Sequence, residues 1–161
     1  MPEIATLGLA RRDDGRAIAE MSRDLIEHGL PWSWTAARVQ RFICGAESSV
    51  VVARRSARIA AFAIMHFGDE SAHLNLLAVA ADHRRQGLGR RLMEWLTSTA
   101  VEAGVLRINL EVRVPNSAAR LFYRALGFQE QGLVPGYYQG REAALRMTRS
   151  LSVRPPEPKV L

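Results

Sequence analysis

The sequence predicts a mixed α/β fold: a largely antiparallel sheet with a central parallel strand pair, flanked by helices. Three observations carry this. Residues 73–80, HLNLLAVA, are almost unbroken apolar sequence, the pattern of a strand buried on both faces. Just beyond, Arg84-Arg85-Gln86-Gly87-Leu88-Gly89 slides into a helix with Leu88, Leu92, Trp95, Leu96 and Thr99 at helical spacing. Residues 105–114 then alternate, Leu106, Ile108, Leu110, Val112 and Val114 against Arg107, Asn109, Glu111 and Arg113, as a strand with unlike faces does. Two strands joined through a helix run parallel, whereas strands joined by short turns run antiparallel.

Residues 4–9 read as a first strand ended by Arg11-Arg12-Asp13-Asp14, where Asp13 or Asp14 caps a helix carrying Ile18, Met21, Leu25 and Ile26. His28-Gly29-Leu30-Pro31 breaks that helix, and Thr35 or Ser33 caps a second over residues 36–44. The tryptophans beside the break, Trp32 and Trp34, fit either a satellite core cluster or the wall of a cleft. Residues 49–54 and 58–67 form a hairpin about Arg55-Ser56-Ala57, and Gly68-Asp69-Glu70-Ser71 turns the chain into the strand at 72–80. The helix after the Gly-rich turn ends at Ala103-Gly104. Pro115-Asn116-Ser117 then caps a helix with Ala118, Leu121, Phe122 and Ala125 inward, closed by Gly127. Strands from Phe128 and over 141–148 finish the fold, joined by a Gly-Tyr-rich loop at 132–140.

At 161 residues and 48% hydrophobic content the chain can bury a core of its own. Residues 1–151 read as one domain and 152–161, with three prolines, as a flexible tail. No apolar run is long enough to span a bilayer, and the N-terminus lacks the basic start and apolar core of a signal peptide. Cys44 is the single cysteine, so a reducing cytoplasm is the expected location. The four histidines show no i, i+4 pairing, and no metal is expected. The net charge is +6, almost all of the cations being Arg. Arg suits bidentate phosphate contacts, so nucleic acid, a phosphate-rich cofactor or plain solubility could each account for it. The arginines are scattered, with no basic helix carrying base-reading residues, and nucleic acid ranks last.

The junction at 84–89 has the chemistry of an anion cradle: glycines let the backbone approach a ligand, and a new helix aims free N–H groups at it. It is not a nucleotide-triphosphate loop, because Gly89 is followed by Arg90-Arg91 rather than Lys-Ser/Thr. It is not a dinucleotide fingerprint either, because Leu92 stands where the third glycine belongs. An ordinary loop-to-helix turn is the bland alternative. Arg84, Gly87 and Gly89 do match Arg/Gln-x-x-Gly-x-Gly/Ala, which resembles the pyrophosphate loop of the GNAT superfamily of acyl-CoA-dependent N-acyltransferases. Leu110-Glu111-Val112-Arg113, Asn116, Ala119, Leu121-Phe122-Tyr123, Gly127-Phe128 and Tyr137-Tyr138 extend the resemblance to one branch, the ribosomal-protein-alanine N-acetyltransferases and related protein N-terminal acetyltransferases. It covers residues 60–147, with weaker similarity at Pro31-Trp32-Ser33.

That resemblance implies the GNAT fold, acetyl-CoA as acyl donor and a primary amine as acceptor. It implies Glu111 as general base, often through water, and Tyr123 as the acid for the departing thiolate. A thiol of pKa near ~8.5 is a fair leaving group, and a phenol near ~10 stays protonated at neutral pH. The bland alternatives are a solvated carboxylate and a tyrosine half-packed under the sheet edge. The resemblance also places pantetheine and the thioester carbonyl on the backbone of Leu77, Ala78 and Val79. Pyrophosphate falls to Arg84 and the amides of Arg85, Gln86, Gly87, Leu88, Gly89 and Arg90. Asn116 would both cap its helix and touch the cofactor, and Trp32, Tyr137 and Tyr138 would line the acceptor side.

An α-amine of pKa ~8 is roughly 10% neutral at pH 7 and a lysine about 0.04%, handicaps on the order of 1 and 4–5 kcal/mol. One glutamate suits the smaller task, which favours a protein or peptide N-terminus. Small-molecule amines, lysine and a non-catalytic acyl-CoA-binding module remain as alternatives, and the chain is expected as a monomer or homodimer. Relatives commonly carry Glu-Asp-Ala after the Tyr-Tyr loop where this chain has Glu142-Ala143-Ala144, so its acceptor side departs from theirs.

Overall fold

Alternating apolar residues and tight turns build a seven-stranded sheet in the computed structural model, which describes residues 3–138, 140 and 142–151. The elements are β1 (Thr6–Leu9), α1 (Gly15–Leu25), α2 (Ala36–Cys44), β2 (Ser48–Arg55), β3 (Arg58–Phe67), β4 (Ser71–Val79), α3 (Leu88–Glu102), β5 (Arg107–Arg113), α4 (Ser117–Ala125), β6 (Gln129–Tyr138) and β7 (Glu142–Ser150). Strand order is β1-β2-β3-β4-β5-β7-β6. Every neighbouring pair is antiparallel except β4 and β5, which α3 connects and which run parallel. The mixed, largely antiparallel sheet with one central parallel pair is therefore present.

The sheet separates two cores. On one face Val51, Ala63, Met65, Leu74, Ile108 and Leu110 pack against Leu88, Leu92, Met93 and Leu96 of α3 and Tyr123 of α4. On the other Val50, Val52, Phe62, Ile64 and Leu76 pack against Ile18 and Ala19 of α1, Val39 of α2, and Trp34. Each fully buried Leu, Ile or Phe contributes roughly 1.5–3 kcal/mol. The strands buried continuously on both faces are β3, over residues 60–65, and more briefly β2, over residues 50–53. β4, expected to be such a strand, alternates buried with half-buried positions. Its register shifts about Asn75, between Ile64↔Leu76 and Met65↔Leu74, so buried side chains change face there. Ala72 and Leu74 join the α3 core, and Leu76 and Ala78 the α1 core.

Three inward assignments are corrected. In α4 the buried side is Ala119, Phe122, Tyr123 and Leu126, whereas Ala118, Leu121 and Ala125 are exposed, Leu121 at 62%. Helical spacing fits both stripes, and the docking of Tyr123 against Phe128 selects the first. Trp95 of α3 and Leu106 before β5 are also partly exposed, at 38% and 47%. The 132–140 loop is instead strand as far as Tyr138, broken by two register shifts. β6 is an edge strand, where Pro135 and glycines are tolerated because one side needs no ladder bonds. Gln139, Arg141 and the tail at 152–161 lie outside the described residues.

Caps follow local chemistry. Thr35 accepts the Arg38 N–H to start α2, and Asn116 accepts the Ala119 N–H to start α4. Asp14 gives α1 no side-chain cap. Its carboxylate accepts the Arg11 N–H at 2.6 Å and the Arg54 guanidinium, tying the start of α1 to β2.

The segment between α1 and α2 folds around Glu27, 7% exposed. Its carboxylate accepts from the Ser22 hydroxyl (3.0 Å), the Ser33 N–H (2.7 Å) and hydroxyl (2.6 Å), and the Trp34 N–H. Glu27→Ala strands these donors, and we expect a loss of about 1–3 kcal/mol, read as a lower urea midpoint at unchanged slope.

Candidate functional site

β4 and β5 are paired only from Ser71↔Arg107 to Leu74↔Leu110. Beyond the irregularity at Asn75, residues 76–79 pair with β3 on one side and leave their β5-facing edge open. The strands part there, and a cleft of about 1040 Å³ opens through the middle of the sheet. The side-chain oxygen of Asn75 is buried in its wall and lacks a hydrogen-bond partner among the described residues. Leu77, Ala78 and Val79, the expected backbone donors, all line the cleft.

At one end β4 leads into the Gly-rich turn. Arg85 (φ 62°) and Gly87 (φ 76°) both adopt left-handed backbone, which costs least at glycine. Gly89 serves close packing instead, since a Cβ there would lie 3.1 Å from the Phe122 ring, a tight contact. The first helical bond of α3 runs from Arg91 N–H to Gly87 C=O, so the amides of Leu88, Gly89 and Arg90 have no intrahelical partner. Arg84, Arg85, Gly87, Leu88, Gly89 and Arg90 face the cleft, with the Arg84 Nε donating to Val79 C=O at 3.3 Å. Gln86 is exposed and does not line it. Asn116 does, while capping α4. Free amides, the positive end of α3 and several guanidiniums give this end the chemistry that suits phosphate oxygens.

Glu111 and Tyr123 stand on opposite rims, since Glu111 alternates with core residues of β5 and Tyr123 belongs to the α4 side. The Glu111 side chain is 8% exposed and three groups hold it. His73 Nε2 contacts Oε2, the Arg146 Nε donates to Oε1 at 3.2 Å, and the Tyr137 hydroxyl donates to Oε2 at 3.3 Å. Burial by itself raises the carboxyl pKa, but the hydrogen bond and charge of His73, then those of Arg146, outweigh it and hold Glu111 below the usual glutamate value. It is a carboxylate at neutral pH. Tyr123 is 7% exposed between the Phe122 and Phe128 rings. Burial, with a smaller contribution from Tyr138, pushes its phenol well above the ordinary value, so it remains a proton donor. Neither His73 nor Arg146 stands out in the sequence. Register alone could have found Arg146, which lies directly opposite Glu111 in the β5–β7 pair.

Tyr137 and Tyr138, stacked edge to face at 4.9 Å, close the Glu111 side. Trp32 is not part of the lining: its indole N–H donates to Ala19 C=O and its ring lies beneath Arg23. Trp34 takes that place, buried at 7% and facing the cleft, so it belongs to both the core cluster and the wall. Arg113 clamps the same side, bidentate to Glu142 and donating to the carbonyls of Ile26 (3.2 Å) and His28 (2.7 Å). Cys44 is exposed and does not line the cleft.

The profile of the acetyltransferase (GNAT) family matches residues 19–128. The [ribosomal protein bS18]-alanine N-acetyltransferase of Escherichia coli K12 is 40% identical over 102 residues, 62% of this chain and 69% of that one. The N-alpha-acetyltransferase RimI of Mycobacterium tuberculosis is 31% identical over 141 residues, 85% of this chain and 86% of that one. The crystal structure of the ribosomal-protein-S18-alanine N-acetyltransferase from Escherichia coli superposes with a TM-score of 0.79 at 31% identity, covering 96% of this chain and 99% of that one. A profile spanning most of the chain, with relatives of this likeness and a parted sheet opening beside a Gly-rich helix start, leads to one conclusion: the chain belongs to the acetyltransferase (GNAT) family.

Proposed function

We propose that the chain transfers the acetyl group of acetyl-CoA to the α-amine of a protein or peptide N-terminus, by direct attack in a ternary complex, in the cytoplasm. The observation that carries this is the parting of β4 from β5 with a carboxylate on one rim and a protonated phenol on the other. The residues fit the donor. The open edge at 76–79 and the unpartnered Asn75 oxygen offer hydrogen bonds to an amide-bearing pantetheine arm. The turn at Arg84–Arg90 offers amides and guanidiniums to the diphosphate, with Asn116 beside them. Residues 1–151 are taken as the catalytic domain.

In this reaction Glu111, directly or through water, accepts a proton from the acceptor ammonium. The freed amine attacks the thioester carbonyl, whose developing oxyanion meets backbone N–H groups of 77–79. The carbon–sulfur bond breaks as the Tyr123 hydroxyl gives its proton to the leaving thiolate; the second nitrogen proton, lost as the amide forms, returns through water to the tyrosinate, and the proton on Glu111 is the one released to solvent. Tyr137, donating to Glu111, positions the base. The N-terminal acetyltransferase relatives favour an α-amine over lysine, as does the smaller deprotonation handicap. The cleft runs past Trp34 and the tyrosine pair with an open mouth suited to a peptide.

Thiol release from acetyl-CoA with peptides varied in their first three residues, beside lysine peptides and polyamines, tests the assignment; release with α-amine peptides is expected, and release only with polyamines contradicts it. Glu111→Gln is expected to lower kcat at neutral pH by about 10²–10⁴ with coenzyme A affinity unchanged by calorimetry. Tyr123→Phe is expected to lower kcat while sparing coenzyme A binding; equal loss of both would remove Tyr123 from the chemistry. Because the Glu111 pKa is depressed, the carboxylate form is complete well below pH 6 and cannot set the neutral acid limb. The kcat/KM profile should instead rise about tenfold per pH unit up to the acceptor pKa near ~8 and shift when an acceptor of different amine pKa is used.

A further inference from the structure

Resting on that reading, the charges around the acceptor side bear on which N-termini are taken. Three carboxylates line this part of the cleft: Glu27, Glu111 and Glu142. All are engaged. Glu27 accepts from Ser22, Ser33 and Trp34, Glu111 is held by His73, Arg146 and Tyr137, and Glu142 takes the bidentate Arg113 fork. A cationic acceptor side chain would have to compete with these partners for carboxylates already engaged, which weakens its pull.

Arg38 is in the opposite condition. Its guanidinium lies 3.9 Å from the centre of the Trp34 ring, on the cleft wall, and pairs with no carboxylate among the described residues. Stacking occupies the flat face of a guanidinium and leaves its N–H edge free for a bidentate anion. The buried indole holds the group in place, so less side-chain freedom is lost when an anion binds. Arg38, Tyr137 and Glu111 line the same cleft, and the Tyr137 hydroxyl donates to Glu111. A peptide whose amine sits at Glu111 would lay its first residues along this wall.

We propose that Arg38 is a specificity-determining residue that binds a carboxylate at the second or third position of the acceptor, so that the preferred substrates are N-terminal segments carrying Asp or Glu there rather than Lys or Arg. Arg146, held against Glu111, adds positive charge behind the same wall. The engaged carboxylates supply the discrimination against cations.

The test is kcat/KM for peptides sharing one N-terminal residue, with Asp, Ala or Lys at positions two and three. The wild type is expected to favour Asp over Lys by about tenfold or more at low salt, the ratio shrinking as ionic strength rises. In Arg38→Gln the Asp/Lys ratio is expected to fall towards one, and in Arg38→Glu to invert, with circular dichroism and thermal midpoint checking the fold. Arg38→Lys, which keeps charge but loses the fork, should retain part of the ratio. Equal use of the two peptides by the wild type, a preference for Lys, or a preference for Asp that survives Arg38→Gln each overturns the proposal. Absence of thiol release with every α-amine peptide, while coenzyme A still binds, overturns instead the transferase reading beneath it, and this proposal with it.

Discussion

The parallel contact between β4 and β5 ends after Leu74↔Leu110, and the rest of the site is arranged around that ending. A strand whose edge faces no partner normally leaves amide and carbonyl groups exposed at a cost. Here β3 satisfies one edge of residues 76–79, and the bulge at Asn75 tilts the other away from β5. The cleft follows directly, with one core on each side of it. Because it passes between the two cores, α3 and α4 can reach it from one face and β5, β6 and the α1–α2 segment from the other.

The two ends of the cleft differ in their electrostatics. The end at the α3 start offers unpaired amides and exposed arginines, with little negative charge near them. The other end is dense in charge: Arg113 pairs with Glu142 and Arg146 with Glu111, which the His73 ring also contacts, while Glu27 keeps its negative charge among neutral donors. Such networks hold side chains still, at the cost of basicity: a carboxylate held below its ordinary pKa is ionised at neutral pH and a weak base. An acceptor that is already partly neutral, an α-amine, matches a weak base better than a lysine does.

The Glu111 end of the cleft is also tied together over long sequence distances. Arg113 on β5 reaches back to the carbonyls of Ile26 and His28 and sideways to Glu142 on β7. Glu27 draws Ser33 and Trp34 inwards. These two residues convert the break after α1 into a wall, with Trp34 as its apolar surface and Arg38 stacked upon it.

Periodicity and turn chemistry determined the element order, the parallel pair and the Gly-rich helix start, because each depends on residues close in sequence: alternation at 105–114, glycines at 87 and 89, caps at Thr35 and Asn116. The same local signals were ambiguous where two helical stripes fit equally, as in α4, or where an edge strand tolerates proline and glycine, as in β6. Glu111 and Tyr123 were legible through family resemblance, and their placement on facing rims came only with the sheet. His73, Arg146 and Arg38 were not legible as site residues, and of the two tryptophans offered as a cleft wall only the fold selects Trp34. Their roles arise from cross-strand register, from a bulge at one asparagine and from a loop folded around a buried glutamate, and none of these leaves a periodic trace in the sequence.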